Sequence, residues 1–366
     1  MPSQSKNLLQ LPQGTEGIYF NEAYIHNQVN FAINNIFYSW GYLPVKTPVF
    51  DFYDIYRDCM DQNARDRSYR LVDREGDLLM LRSDVTLFLA KQIGLAVPKE
   101  KLPARVCYSD AILRHENTED ISRNEFFQIG AEFVGAGELD GELEIILLLL
   151  EIIELLDLDV CIHIGSRKIF ENCFSALGGA VKEELKSCLM SRRFDKITAI
   201  LKSKGYPSPH KVADLLQFIG STEEFGEMLK VYRKNNHVHQ PVIKEMEYLD
   251  SLFAVLNKLN KTGKIRADLS EIGVQHYHTG TAFQVYMEDI DSAIAGGGRY
   301  DGLLSQFGLQ SPSVGFSMLL RKVEPFLKSH KIFGAGTDIG KAPGKDFAER
   351  YRKAEQLRKK GKTIIL

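Results

Sequence analysis

The chain has 366 residues, of which 44% are apolar and 26% charged, with 46 Lys+Arg against 48 Asp+Glu and a net charge of −2. That length allows two or three domains of roughly 100–200 residues, each with its own core, and the composition excludes disordered and fibrous classes. The balance also lacks the basic excess that phosphate neutralisation demands of a nucleic-acid binder, although residues 341–366 hold nine Lys+Arg and three Asp+Glu and leave −8 on the rest.

The opening segment, MPSQSKNLLQLPQGTEG, has no apolar core of a signal peptide. Ile25, Val29, Ile33, Ile36 and Trp40 then recur at three- and four-residue spacing, which predicts a helix over 22–40 with Gly41 as its C-terminal cap. In GYLPVKTPVF, Pro44 and Pro48 restrict the segment to an edge strand or an extended interface, because proline cannot donate to a ladder. SYRLVD and DLLMLRSD read as antiparallel strands joined at Arg74-Glu75-Gly76. Period two in LRSDVT puts Arg82, Asp84 and Thr86 on one strand face.

A second strand pair, RVCYSDAILRHE and RNEFFQIGAEFVG, follows across the polar stretch 117–122. Gln128 and Glu132 share a face of it. If that face meets the Asp84 face, the two carboxylates make a recess for an ammonium group; otherwise these are solvated polar faces of an antiparallel sheet. Arg114 ends the first strand of the pair, where its planar fork could take a phosphate or simply pair with Glu116 or Glu119.

GELEIILLLLEIIELLDL is a helix apolar on more than one side. Its uninterrupted apolar run, residues 145–150, falls far short of the ~20 residues that span a bilayer, so no membrane association is expected. VCIHIG is a strand, followed by a helix capped at Ser166 and closed by Gly178-Gly179. Residues 180–260 read as wholly helical, with breaks at Gly205-Tyr206-Pro207 and Gly220-Ser221, and Ser221 with Glu224 has capping-box spacing. Strand patterns return at ADLSEI, HYHTGTAFQVYME and DSAIAG. GGGRYDGL then reads as a turn, SVGFSMLLRKVEPFLKSH as a strand entering a helix, GAGTDIGKAPGK as a linker, FAERYRKAEQLRKKG as a basic helix and KTIIL as a short strand. Irregular alternation of strands and helices predicts an α+β fold, a mainly antiparallel sheet flanked by helices with a helical insertion at about 180–260.

Five widely spaced cysteines without a CxxC pair point to reduced thiols in a cytoplasmic setting. The pairs His237/His239 and His276/His278 could each present two imidazoles on one side of a strand, but the first falls in an Asn-rich loop, and no metal site is expected. The triple glycine 296–298 lacks both the Walker Lys-Ser/Thr and dinucleotide spacing, and no hydrolase triad or HExxH is present.

In this order the segments resemble the catalytic core of class II aminoacyl-tRNA synthetases, specifically the histidyl-tRNA synthetase family, over about residues 8–325. LPQGTEG is similar to that family's P-x-G-T segment, GYLPVKTPVF to motif 1 with Pro48 at the dimer-interface proline, and LRSDVT to its LRPEGT loop. LRHE with RNEFFQIGAE resembles motif 2, with Arg114 at the ATP-phosphate arginine. AGGGRYDGL resembles the second histidine-specific motif, and SVGFSMLLRKV motif 3. The departures carry the functional expectation. Where the first histidine-specific motif reads R-G-L-D-Y-Y-x-x-T-x-F-E, this chain has GVQHYHTGTAFQ, with Gly273 at the arginine. Motif 3 normally ends G-L-E-R, and Lys322 stands at that arginine. Cationic groups that stabilise a phosphoryl transition state are each typically worth several kcal/mol, so the resemblance implies that aminoacylation is absent.

Free-histidine recognition is implied to be partly kept, in Asp84 (for glutamate), Thr86, Gln128, Glu132, Tyr277 and His278 (for a second tyrosine). About 40 residues follow motif 3, against roughly 90–100 for an anticodon-binding domain. The expected division is a core over 1–325 and, over 326–366, a linker with a basic, truncated α/β remnant. The HYHTG and LRSDVT variants are similar to the regulatory-subunit family of ATP phosphoribosyltransferase. That resemblance implies no catalytic residues and no cofactor of its own, and a dimer built into a hetero-oligomer. The partner would be a short-form catalytic phosphoribosyltransferase, and L-histidine the effector of histidine biosynthesis. An adenylate-forming paralogue using Arg114 with Arg321 or Lys322 is the alternative, and an RNA-binding module acting through the basic tail a third.

Overall fold

The computed structural model describes residues 11–12, 14–115, 124–234, 239–327, 340–362 and 364–366. The strands are β1 (Leu43–Pro44), β2 (Phe50–Phe52), β3 (Arg70–Val72), β4 (Leu78–Leu81), β5 (Ala104–Leu113), β6 (Glu125–Val134), β7 (Val160–Ser166), β8 (Ile219–Gly220), β9 (Ile265–Asp268), β10 (Thr281–Met287), β11 (Ala295–Arg299), β12 (Ser313–Leu319), β13 (Gly340–Lys341) and β14 (Ile364–Ile365). Nine of them form one sheet in the order β1-β5-β6-β12-β11-β10-β7-β9-β8. Only the pairs β1/β5 and β7/β9 are parallel; the rest of this sheet is antiparallel, as expected for α+β. β1 is an edge strand, as Pro44 requires.

The centre of the sheet fixes the site. β5 and β6 pair over ten residues, from Ala104↔Val134 to Leu113↔Glu125, and β6 pairs with β12 so that Glu132 lies opposite Gly315 and Gln128 opposite Leu319. Period two then sends Glu132, Gln128 and Tyr108 to the same side. The helix Asp140–Leu155 buries ten of its residues, among them Ile145, Ile146, Leu148 and Leu149. A three-stranded antiparallel sheet, β2-β4-β3, stands apart from the nine.

Several local expectations change. The strand in LRSDVT ends at Leu81, and Asp84 is the N-cap of the helix Val85–Ala96, accepting a hydrogen bond from Leu87 N at 3.2 Å. Arg82, Asp84 and Thr86 therefore do not share a strand face. Arg82 turns inward to Thr47 O at 2.8 Å and Ala111 O at 2.7 Å. The triple glycine is a strand, β11, not a turn. HYH precedes β10 in a loop, so His276 and His278 are not paired on a strand. The helix after Ser166 ends at Cys173, because Gly178 caps a new helix, Gly179–Met190. The helical insertion contains the two-residue β8, which closes the sheet edge on β9, and Gly340–Lys341 in the supposed linker pairs with β14. Glu116, Glu119, the stretch 117–122 and His237 lie outside the described residues.

The chain divides into two units, a larger one built on Ile33–Lys322 and a smaller one on Gly17–Ala32 and Val323–Leu366. In the larger, Phe37 packs on Tyr42 and Phe316. In the smaller, His26 Nδ1 and Glu324 Oε1 meet at 2.6 Å, and the basic helix Phe347–Lys359 is capped by Asp346. Among the described residues no helix is long and apolar enough to cross a membrane.

Candidate functional site

Glu132 is the centre of the site. It is 1% exposed, on β6. Thr86 Oγ1 donates to its Oε1 at 2.6 Å, Tyr108 OH to the same oxygen at 3.2 Å, and Tyr300 OH to Oε2 at 2.6 Å. Burial raises its pKa to about 8, with the Asp84 charge adding to the rise, against the hydroxyls that lower it. Three neutral donors compensate the buried carboxyl only in part. Gly315 is required opposite it, since any side chain there would occupy the place of the Glu132 carboxylate.

Asp84 forms the second acidic centre. Its Oδ2 accepts from Gln275 Nε2 at 3.0 Å and from Tyr277 OH at 3.1 Å. Tyr277 in turn packs edge-on against Tyr300, with ring centroids 5.9 Å apart. Asp84 and Glu132 are therefore linked through two phenols, in a polar recess whose members come from a helix cap, a strand and a loop. Gln128 joins it differently: its Oε1 accepts from Val85 N at 3.1 Å and anchors the start of the Asp84 helix.

A cavity of about 130 Å³ opens in front of this recess, lined by Asp61, Arg67, Asp84, Arg114, His276 and Tyr277 among others. Thr86, Gln128, Glu132 and His278 are not on its wall. At the Arg114 end, burial and the neighbouring Arg67 charge lower the Arg114 pKa to about 10, and its guanidinium lies over the Phe126 ring at 4.9 Å. The cavity wall thus carries both carboxylates, Asp61 and Asp84, and guanidinium groups, Arg67 and Arg114, a mixture that suits a zwitterion. Arg67, Gln275, Tyr108 and Tyr300 were not anticipated. Period two along RVCYSD could have flagged Tyr108, since it falls on the Glu132 side of the paired strands; Arg67 ends the short helix Gln62–Arg67 and Gln275 arrives from a loop, and neither carries a pattern.

Residues 14–323 match the histidyl-tRNA synthetase family. The chain belongs to that family. It is 27% identical to the ATP phosphoribosyltransferase regulatory subunit of Moorella thermoacetica over 373 aligned positions, covering 98% of this chain and 92% of the relative. It is 26% identical to that of Clostridium kluyveri, covering 96% and 91%. A Bacillus halodurans structure described as an ATP phosphoribosyltransferase regulatory subunit/histidyl-tRNA synthetase superposes with a TM-score of 0.81 at 20% identity, covering 99% of this chain and 93% of that one. Histidyl-tRNA synthetase from Nostoc gives 0.82 at 19%, covering 98% and 86%. These structures establish the class II synthetase-like fold.

Gly273 and Lys322, which the motif resemblance sets against two arginines, take a definite form here. Gly273 has φ +81 and abuts His278 Nδ1 so closely that a Cβ would collide with the imidazole. Glycine is the residue that tolerates both conditions. His278 is held neutral, its pKa lowered to about 3 by burial and then by the Arg167 charge. Lys322, at the motif 3 position, donates to Ser292 Oγ at 2.6 Å and Ala293 O at 2.9 Å, while Arg321 pairs with Glu16 at 3.4 Å.

Proposed function

We propose that this chain is a regulatory subunit of ATP phosphoribosyltransferase, without catalytic activity of its own. It is required by a short-form catalytic subunit for the first step of histidine biosynthesis in the cytoplasm. Free histidine is its effector, with Asp84, Thr86, Gln128, Glu132, Tyr277 and His278 as the candidate binding set and the ammonium going to the Asp84 and Glu132 carboxyls; of the six, Asp84 and Tyr277 line the cavity as it stands. Arg114 supplies an anion-binding group. The observation that carries this reading is Gly273, a synthetase arginine position at which His278 leaves no room for a side chain. Similarity to subunits of that name along 98% of the chain supports it, as does the survival of the acidic recess beside the lost cation.

A non-catalytic subunit can act only by binding two states of its partner with different affinity. The test is to co-purify the chain with a short-form phosphoribosyltransferase and assay product formation with and without histidine. Activation by the chain, and inhibition by histidine only when the chain is present, are expected. Histidine-dependent pyrophosphate–ATP exchange by the chain alone would overturn the proposal in favour of an adenylate-forming enzyme.

A further inference from the structure

Two guanidinium groups line the cavity beside Asp84, and only one of them, Arg114, falls in a motif. The other, Arg67, is the last residue of the short helix Gln62–Arg67, whose N-cap Asp61 also lines the cavity. Asp61 Oδ1 accepts from Ala64 N at 2.9 Å, and Ser68 Oγ donates to Ala64 O at 2.7 Å, so the turn that carries Arg67 is fastened at both ends.

Backbone contacts bring this turn to the end of β5. His115 N donates to Arg67 O at 2.8 Å, and Ser68 forms an isolated antiparallel bridge with Arg114. On the same seam Arg67 Nε donates to His115 O at 3.2 Å, which sets the plane of its fork. The Asp84 segment is stitched to the same strand end, since Leu113 N donates to Arg82 O at 2.8 Å. Arg114 is steadied by the Phe126 ring, 4.9 Å from its guanidinium. Asp84 is oriented by Leu87 N at Oδ1 and by Gln275 and Tyr277 at Oδ2. Arg67, Asp84 and Arg114 thus reach the wall of one cavity from three segments tied together by backbone hydrogen bonds.

Two half-buried guanidinium groups on one wall repel each other. Burial lowers the pKa of both, and the Arg67 charge lowers that of Arg114 further, while Asp61 acts on Arg67 and Asp84 on Arg114 in the opposite sense. An anion seated between the arginines relieves their repulsion, but an anion alone is repelled by the two carboxylates of the same wall. A free α-amino acid meets both conditions, because its ammonium and carboxylate are borne on the same carbon.

We propose that Arg67 is a carboxylate-recognising residue of this site, forming with Arg114 a two-armed clamp on the α-carboxylate of the bound amino acid while the ammonium lies on the Asp84 side. It rests on histidine being the ligand, as proposed above. A carboxylate offers about four lone-pair sites, enough to accept from both forks at once.

The test titrates L-histidine and L-histidinol, which differ by carboxylate against hydroxymethyl, into the full chain by calorimetry, and then into Arg67→Gln, Arg67→Lys, Arg114→Gln and Arg57→Gln. Arg57 pairs with Asp54, is half-exposed and does not line the cavity, so its variant is the control for a general change of charge. Hydrogen bonds between charged partners are worth about tenfold or more in affinity. Arg67→Gln and Arg114→Gln are each expected to lower the preference for histidine over histidinol about tenfold without weakening histidinol. Arg67→Lys should lower it less, because the charge stays and the fork is lost, and Arg57→Gln should leave it unchanged. An intact preference in Arg67→Gln or Arg114→Gln, an equal loss for both ligands, or an equal fall in Arg57→Gln overturns the clamp while histidine binding stands. An unaltered chain that binds the two ligands alike does the same. If it binds neither, the histidine reading falls and the clamp with it. Circular dichroism melting shows whether each variant is folded at the titration temperature; where Arg67→Gln is not, Arg67→Lys decides, and a full preference there overturns the clamp.

Discussion

Glu132 is a buried, ionisable carboxyl, and its environment has a consequence for stability. Its pKa is pushed up to about 8 in the folded chain, against about 4.3 in an unfolded one. Between those values the folded state holds a proton that the unfolded chain has released, so stability falls as pH rises from about 4.5 through about 8. Glu132→Gln is neutral in both states and can keep the Thr86, Tyr108 and Tyr300 contacts. Melting temperatures measured at pH 5 to 8.5 should show a shallower decline for the variant than for the unaltered chain, and an identical slope would mean that Glu132 is not the group responsible. The residues of this site were legible in unequal degrees. Gln128 and Glu132 follow from period two in a strand, a local rule. Asp84 was misplaced because LRSDVT satisfies both an alternating strand and a helix N-cap before an apolar run; the run VTLFLA behind it was the cue for the cap. The Gly273–His278 interlock depends on the conformation of one irregular loop, with Gly273 at φ +81, which no strand or helix period reveals.

At the scale of elements, the GGGRYDGL segment shows how a family motif can be structural. Arg299 closes β11 and is 1% exposed. Its guanidinium grips Glu142, at the start of the helix Asp140–Leu155, through two bonds of 2.6 Å, and donates to Ala136 O and Gly137 O. Tyr248 OH, from the helical insertion, donates to the same Glu142 at 2.8 Å. One buried ion pair thus ties the sheet, the helix behind it and the insertion together. Arg299→Met leaves Glu142 buried and unpaired, which should cost roughly 3–5 kcal/mol, seen as a large fall in the thermal midpoint. Arg299→Met with Glu142→Leu should recover part of that loss, since a well-packed apolar pair can replace a buried ion pair; a double variant no more stable than the single one would argue that the other donors and acceptors, not the charge pair, carry the tie. The strand pair β5–β6 and the Ser221–Glu224 capping box, with its reciprocal bonds of 2.6 and 3.2 Å, were readable because each rests on residues close in sequence. β8 was not, since two residues carry no period, and its only support is pairing with β9.

For the whole molecule, the small sheet β2-β4-β3 raises the question of assembly. Its registers put Phe50 and Leu81, then Phe52, Leu79 and Leu71, on one face. Phe50 is 56% exposed, Phe52 46% and Leu71 40%. On the other face Asp51 is bound by Lys91 and Tyr56, which fastens the sheet to its own chain. An apolar, charge-free face held rigid from behind has the composition of an interface core, where aromatic residues are enriched and charged ones depleted. It adjoins Pro48 in the segment that resembles motif 1, and the proposed occupant is the same face of a second copy, which a two-fold axis allows. Sedimentation equilibrium should find a dimer that persists at 1 M salt, because apolar association is not screened. Phe50→Asp with Phe52→Asp should shift it to monomer while the far-ultraviolet spectrum is kept, since both side chains point away from the fastened face. A dimer unaffected by the two aspartates would place the interface elsewhere; loss of the dimer in salt alone would make it electrostatic.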